Sequence, residues 1–212
     1  ENKTAEFLKD AFHIEPKAIE IVQAAEREAS TEFACLDDIM AYNQYKVLAA
    51  FHKNRIRDMH FGWKTGYGYD DAGREAVESV FADVFHTDAA LVRTTFVNGT
   101  HALATVLLGI LRPGDELLSP VGKPYDTLEE VIGIRPSKGS LAEYGITYRQ
   151  VDLLADGGFD YEGIRKAVNE KTKLVTIQRS KGYQTRPTLS VARIGELISF
   201  IRSIRPDVIC IV

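Results

Sequence analysis

The feature that most restricts the fold is a regular alternation of helical patterns and short apolar segments from Arg74 onward. Such alternation is typical of βαβ units, in which helices cross over a mainly parallel sheet. The predicted strands are 90–97, 116–119, 147–151, 174–178 and 207–212. The predicted helices are 74–85, 100–111, 127–132, 161–169 and 191–204, with Asp160 and Ser190 as the N-caps of the last two. The sequence therefore predicts an α/β fold with a doubly wound, mainly parallel sheet.

Residues 1–60 have a different pattern, which predicts two helices. Pro16 suits a first helical turn, and a second segment places apolar side chains on one helix face at Leu36, Met40, Val47 and Phe51. Residues 61–73 contain four glycines and four aromatic rings, which predicts an ordered functional loop. The chain is thus divided into a helical segment at 1–60, a loop at 61–73 and an α/β region at 74–212.

Composition excludes several classes of protein. Because 26 Lys+Arg stand against 30 Asp+Glu, no basic surplus favours nucleic acid or an anionic membrane. No uninterrupted apolar run is longer than the one at 208–212, which is far shorter than the roughly 20 residues that span a bilayer. Cys35 and Cys210 lack the spacing of a zinc site and are too few for a disulfide framework. We expect a cytoplasmic protein with no nucleic-acid or membrane partner and no metal site.

The segment VICIV at 208–212 is typical of a central strand in a parallel sheet, yet nothing follows that would cover it. We therefore expect a chain truncated before the C-terminal part of its α/β domain. A complete, small flavodoxin-like domain that ends on a strand is the alternative.

The segment VNGTHALATVLLGIL predicts a strand, a tight turn at Gly99 and a helix N-terminus at Thr100. Such a turn gathers unpaired backbone N–H groups and the positive end of the helix dipole, and both favour phosphate. The spacing is neither GxGxxG nor GxxxxGK[ST], so it does not indicate a dinucleotide or a magnesium-bound triphosphate. Since any βα turn can contain Gly-Thr, a purely structural turn stays open.

Several long strings occur in the order found in one family: GYGYDDAGREAVESVFADVF, NGTHALA, LRPGDELLSPVGKPYDTLEEVIG, GSLAEYGI, IQRSKGYQTRPTLSV and VICIV. Over about residues 35–212 the sequence closely resembles the pyridoxal-phosphate (PLP) enzymes known as aluminium-resistance proteins, also called methionine gamma-lyase-like or cystathionine beta-lyase-like. The resemblance implies fold type I of the aspartate aminotransferase superfamily, with a large, mainly parallel sheet domain and a smaller C-terminal domain.

The resemblance also implies residue roles. Gly99 and Thr100 match the residues that hold the cofactor phosphate, and Tyr125 matches the aromatic residue that stacks on the pyridine ring and exchanges protons with the substrate. Tyr67 and Tyr69 match a loop that reaches a neighbouring subunit's phosphate site, which implies a homodimer or homotetramer. An ordinary loop tyrosine at 125 and a surface aromatic cluster in a monomer are the alternatives.

Further candidates surround the end of the strand at 174–178, where ligands bind in such sheets. Arg179, Lys181 and Arg186 are candidates for the substrate carboxylate, with solvated loop charges as the alternative. Gln178 and Ser180 are candidates for the cofactor ring. His101 is predicted either to touch phosphate or to cap its helix, and Asn98 stands where many relatives have serine.

The reaction implied is β- or γ-elimination from a sulfur-containing amino acid by a PLP-dependent carbon–sulfur lyase. It requires a lysine that binds the cofactor covalently and a carboxylate beside the pyridine nitrogen. In the family both come after a strand like VICIV, and family position argues against Lys123 and Lys181. We therefore expect residues 1–212 alone to be inactive and to bind the cofactor poorly. Two other functions stay open, namely a fold type I aldolase or transaminase, and a non-catalytic doubly wound module that binds a phosphorylated ligand.

Overall fold

The computed structural model describes residues 3–64 and 71–212. These residues form two compact units, which are divided between Arg93 and Thr94. Within the described ranges, no helix is both long enough and apolar enough to cross a membrane.

The first unit is helical. Its described elements are α1 (Lys3–Phe12), α2 (Pro16–Glu28), α3 (Ser30–Lys53), a 3₁₀ turn (Asp58–Phe61) and α4 (Ala72–Phe85). The two helices predicted before residue 60 correspond to α2 and α3, and α1 was not predicted. Pro16 lies in the first turn of α2, where its missing N–H costs nothing. The carboxylate of Asp83 on α4 accepts hydrogen bonds from Lys53 and Asn54 at the end of α3, and so joins the two helices.

The second unit contains a parallel sheet with the helices predicted around it. Its described strands are β1 (Glu116–Ser119), β2 (Thr147–Gln150), β3 (Thr172–Thr176) and β4 (Ile209–Ile211), in the order β2-β1-β3-β4. Its helices are α5 (Gly99–Ile110), α6 (Asp126–Ile132), α7 (Tyr161–Ala167) and α8 (Val191–Ile204). The predicted caps are present, because Asp160 accepts from the Gly163 amide and Ser190 from the Arg193 amide.

The strand predicted at 90–97 is wrong. Residues 90–97 are not in a strand, and two of their backbone donors bond to side chains instead, Val92 N–H to Glu78 and Val97 N–H to His101. Leu91 and Val97 are 63% and 77% exposed. An apolar segment forms a strand only where a neighbouring strand hydrogen-bonds to its backbone. No strand of the described residues pairs with residues 90–97.

The sheet is covered on both faces, because neighbouring residues of a strand point in opposite directions. Leu117 and Leu174 pack with α5 and α6, whereas Leu118 and Val175 pack with α7 and α8. All four side chains are fully buried. This fixed sheet positions the loops at the carboxyl ends of β1 and β3, which carry Tyr125 and Gln178.

Candidate functional site

The N-terminus of α5 presents two unpaired backbone amides. Asn98, the N-cap, has extended backbone, and its Oδ1 accepts the His101 N–H at 2.8 Å. Among the described residues, the N–H groups of Gly99 and Thr100 have no acceptor. A Cβ added at Gly99 would meet no atom of residues 3–64 and 71–212 within 4 Å, so these residues leave the space beside the turn open. The turn therefore offers two donors and the positive helix end to an anion.

A cavity of about 370 Å³ lies at this turn. Five of the predicted site residues line this cavity, namely Gly99, Thr100, Tyr125, Gln178 and Ser180. Three residues that were not predicted complete the lining, namely Leu103, Thr127 and Leu128. These residues come from α5, from the segment after β1 and from the loop after β3. The sheet thus brings together chain segments that are far apart in sequence.

Tyr125 precedes α6 and is held through its backbone. Its N–H donates to Gln178 Oε1 at 2.6 Å, and its side chain is 38% exposed. One edge of the ring faces Gly182, where an added Cβ would lie 3.1 Å from Tyr125 Cε2. The ring is therefore partly fixed by the protein and partly open to the cavity.

Thr127 is a lining residue that the sequence did not reveal. The hydroxyl groups of Thr100 and Thr127 are 2.9 Å apart and hydrogen-bonded. This bond links the N-terminal turn of α5 to that of α6, and it brings a second hydroxyl to the cavity that Gly99 and Thr100 line. A threonine two residues after the candidate Tyr125 was the available sequence signal.

The His101 ring contacts the segment just before α5, and the two roles predicted for it, at the phosphate or at the helix end, stay predictions. Its ring packs edge-on against Phe96, with centroids 5.7 Å apart, and its Nδ1 accepts the Val97 N–H at 3.4 Å. The side chain is not part of the cavity lining.

The guanidinium of Arg186 binds backbone carbonyls. Its Nη2 donates to Gln178 O at 2.9 Å and to Ser180 O at 2.8 Å, and its Nη1 donates to Pro187 O at 3.2 Å. Its Nε donates to Gln184 Oε1 at 3.0 Å. Partial burial lowers the pKa of Arg186 from its usual value, and the group stays charged at neutral pH. These contacts leave it without the pair of free donors that a bidentate carboxylate contact needs.

Other candidates lie outside the cavity lining. Arg179 and Lys181 are exposed on the loop after β3. Lys123 forms an ion pair with Glu129 at 2.8 Å and lines a second cavity of about 510 Å³ together with Arg186. Tyr67 and Tyr69 lie outside the described residues, so their predicted roles stay predictions.

The family model of methionine gamma-lyase matches residues 18–212. The chain belongs to this family. Among solved structures, a carbon–sulfur lyase involved in aluminium resistance from Clostridium novyi NT is 44% identical, with a TM-score of 0.91 over 99% of this chain and 50% of that one. A Clostridium acetobutylicum protein, provisionally assigned as a cystathionine beta-lyase involved in aluminium resistance, is 42% identical, with a TM-score of 0.91 over 99% of this chain and 51% of that one.

The Bacillus subtilis protein YnbB, described as uncharacterized, is 48% identical over 179 residues, which are 84% of this chain and 42% of YnbB. The chain thus spans about half the length of these relatives. Membership of the methionine gamma-lyase family confirms the resemblance found in the sequence. The parallel α/β sheet likewise confirms the predicted fold class, that of fold type I PLP-dependent enzymes.

Proposed function

We propose that the protein is a PLP-dependent carbon–sulfur lyase that acts on a sulfur-containing amino acid by β- or γ-elimination. One observation carries the proposal: the unpaired amides of Gly99 and Thr100 share a cavity with the Tyr125 ring at the carboxyl edge of the sheet. Ligands of open parallel sheets bind at this edge. The similarity to a carbon–sulfur lyase supports the same reaction class.

The residues present fit a phosphorylated aromatic cofactor. Two backbone donors and the positive end of a 12-residue helix suit the phosphate, and the Thr100 and Thr127 hydroxyls add further hydrogen-bonding groups. The aromatic face of Tyr125 suits a flat heterocycle. Among the described residues, no atom lies within 4 Å of a Cβ added at Gly99, so this side of the turn has room for a phosphate.

When bound, PLP supplies an electron-withdrawing pyridine ring that makes the Cα–H of an amino acid acidic. The chain's own residues then have separate tasks. Gly99 and Thr100 bind the phosphate and fix the ring at one end. Tyr125 would exclude water from one ring face, and its Oη would give a proton to the sulfur that leaves as a thiol.

Arg179 and Lys181 remain our candidates for binding the substrate carboxylate, because both follow β3 and are exposed. The covalently bound lysine and the carboxylate beside the pyridine nitrogen belong, by the family resemblance, to sequence that follows a strand like 208–212.

We further propose a homodimer or homotetramer in which Tyr67 and Tyr69 contact the neighbouring subunit's phosphate site. Light scattering after size exclusion tests this assembly, since a monomer of the full-length protein would contradict it.

The test of function uses the protein at its full native length. Addition of PLP should produce a visible absorption band that borohydride abolishes, and a sulfur amino acid should then release a thiol and a 2-oxo acid. A flat spectrum would contradict the proposed cofactor. Release of an aldehyde, or of a 2-oxo acid without thiol, would replace the lyase by an aldolase or a transaminase.

A further inference from the structure

The loop after β3 is held by one arginine. Arg186 donates to the carbonyls of Gln178 and Ser180 through a single terminal nitrogen, at 2.9 and 2.8 Å, and to Gln184 through Nε. A guanidinium can bind several neighbouring acceptors at once because its N–H donors are fixed in one plane. A lysine ammonium has no such fork, so Arg186→Lys keeps the charge and loses the geometry.

The same loop is tied to Tyr125. Gln178 accepts the Tyr125 N–H through Oε1 at 2.6 Å and donates to Ser180 O through Nε2 at 3.0 Å. Ser180 O thus receives one hydrogen bond from Arg186 and one from Gln178. The contacts form a continuous chain from Arg186 through Ser180 and Gln178 to the backbone of Tyr125.

The loop also touches the ring itself. Gly182 has φ +54°, and an added Cβ would lie 3.1 Å from Cε2 and 3.3 Å from Cδ2 of Tyr125. A hydrogen bond from Gln184 N to Lys181 O, at 2.9 Å, closes the turn around Gly182. The position of this turn therefore limits where the Tyr125 ring can lie.

We propose that Arg186 is a positioning residue for Tyr125: by holding the carbonyls of Gln178 and Ser180 it fixes both the backbone of Tyr125 and the glycine turn against its ring. Arg186 lies outside the lining of the cavity, so it acts through Tyr125 and not on a ligand. The inference rests on the proposed function, in which Tyr125 stacks on the cofactor ring.

The first measurement needs no cofactor. Hydrogen exchange of the Tyr125 amide should be at least tenfold faster in Arg186→Lys than in the native full-length protein. The Val151 amide, which donates to Ser119 O at 2.8 Å, serves as the internal reference and should not change. Arg205→Lys is the matched control, because Arg205 also binds a backbone carbonyl, Asn169 O at 2.6 Å, but before β3 and not after it. An unchanged Tyr125 amide in Arg186→Lys would overturn the proposal.

The second measurement tests the position of the Tyr125 ring through bound PLP. In Arg186→Lys the induced circular dichroism of bound PLP should change and kcat should fall more than tenfold, whereas the dissociation constant for PLP should change less than threefold because α5 holds the phosphate. Gly182→Ala should give the same pattern without touching Arg186. In a Tyr125→Ala background, Arg186→Lys should cause no further change in the induced circular dichroism or in kcat.

Additive effects of Arg186→Lys and Tyr125→Ala would contradict the positioning role, since they would show that Arg186 acts independently of the ring. A native protein that shows no PLP band would instead contradict the proposed function, and the hydrogen-exchange result would then still decide whether Arg186 holds Tyr125.

Discussion

The hydroxyl groups of Thr100 and Thr127 lie 2.9 Å apart and join the first turns of α5 and α6 at the edge of the candidate cofactor cavity. Thr127→Val keeps the shape of the side chain and removes the hydroxyl. We expect PLP to bind about 3- to 10-fold more weakly, which corresponds to one hydrogen bond of about 1 kcal/mol. Fluorescence titration with PLP measures this, and Thr127→Ser should restore the native affinity. Equal affinities for the valine and native proteins would exclude a role for this pair.

The unpaired amide of Gly99 can be removed without breaking the helix. Gly99 is the first residue of α5, a position that proline tolerates, and an added Cβ meets no neighbour in the part of the chain that the structure describes. We expect Gly99→Pro to weaken PLP binding at least tenfold and to leave the unfolding midpoint unchanged. Val191→Pro, the same change at the first residue of α8, is the control. Gly99→Ala adds a methyl group but keeps the N–H. If Gly99→Ala weakened PLP binding as much as Gly99→Pro, the cause would be the added side-chain volume and not the missing N–H.

Glu116 stabilises the amino end of the sheet from a buried position. It is 4% exposed, and its carboxylate binds Arg149 Nε at 3.0 Å, Asn169 Nδ2 at 2.7 Å and Thr172 Oγ1 at 3.1 Å. Glu116→Ala removes the acceptor of the fully buried Thr172 hydroxyl and of the Arg149 and Asn169 side chains, and it should lower the free energy of unfolding by about 2–4 kcal/mol in urea titrations.

Glu130→Ala provides the comparison for Glu116→Ala. Glu130 forms an exposed ion pair with Arg135 at 3.3 Å, and loss of such a pair costs about 0–1 kcal/mol. Equal destabilisation by the two substitutions would contradict the structural role of Glu116.

Tyr148 should make the free energy of unfolding depend on pH in the alkaline range. Burial raises its pKa to about 12, and the nearby Asp152 adds to the shift. Between about pH 10, the pKa of a free tyrosine, and pH 12, the unfolded chain loses this proton while the folded chain keeps it. The free energy of unfolding should therefore fall as pH rises through this window. Tyr148→Phe should make that decline shallower than in the native protein, as measured by urea titrations at pH 9, 10 and 11. Parallel curves for the two proteins would show that Tyr148 has an ordinary pKa.

The elements of the second unit were predictable because their residues repeat the patterns that burial requires. Leu117 and Leu118 occupy opposite faces of β1, and Asp160 and Ser190 cap their helices as their side chains predict. Residues 90–97 have an equally apolar pattern and form no strand. Pattern alone does not say whether a strand has a partner.

The candidate site was predictable only in part. Gly99, Thr100, Tyr125, Gln178 and Ser180 line one cavity, as the turn chemistry and the family resemblance together suggested. The contacts of Thr127, Gly182 and Arg186 were not predictable, because each depends on the spatial position of a distant segment. Arg186 is the clearest example. Its sequence neighbours indicate a free basic group, whereas its guanidinium donates hydrogen bonds to backbone carbonyls.

The strand order has a consequence for synthesis of the protein. Tyr125 follows β1 and Gln178 follows β3, so the two residues that are hydrogen-bonded to each other are 53 positions apart and meet only when these strands pair. A nascent chain that has left the ribosome only as far as Tyr125 already contains the α5 turn but has no wall opposite the aromatic ring. If the proposed function holds, PLP can bind during translation only after the segment ending at Arg186 has emerged.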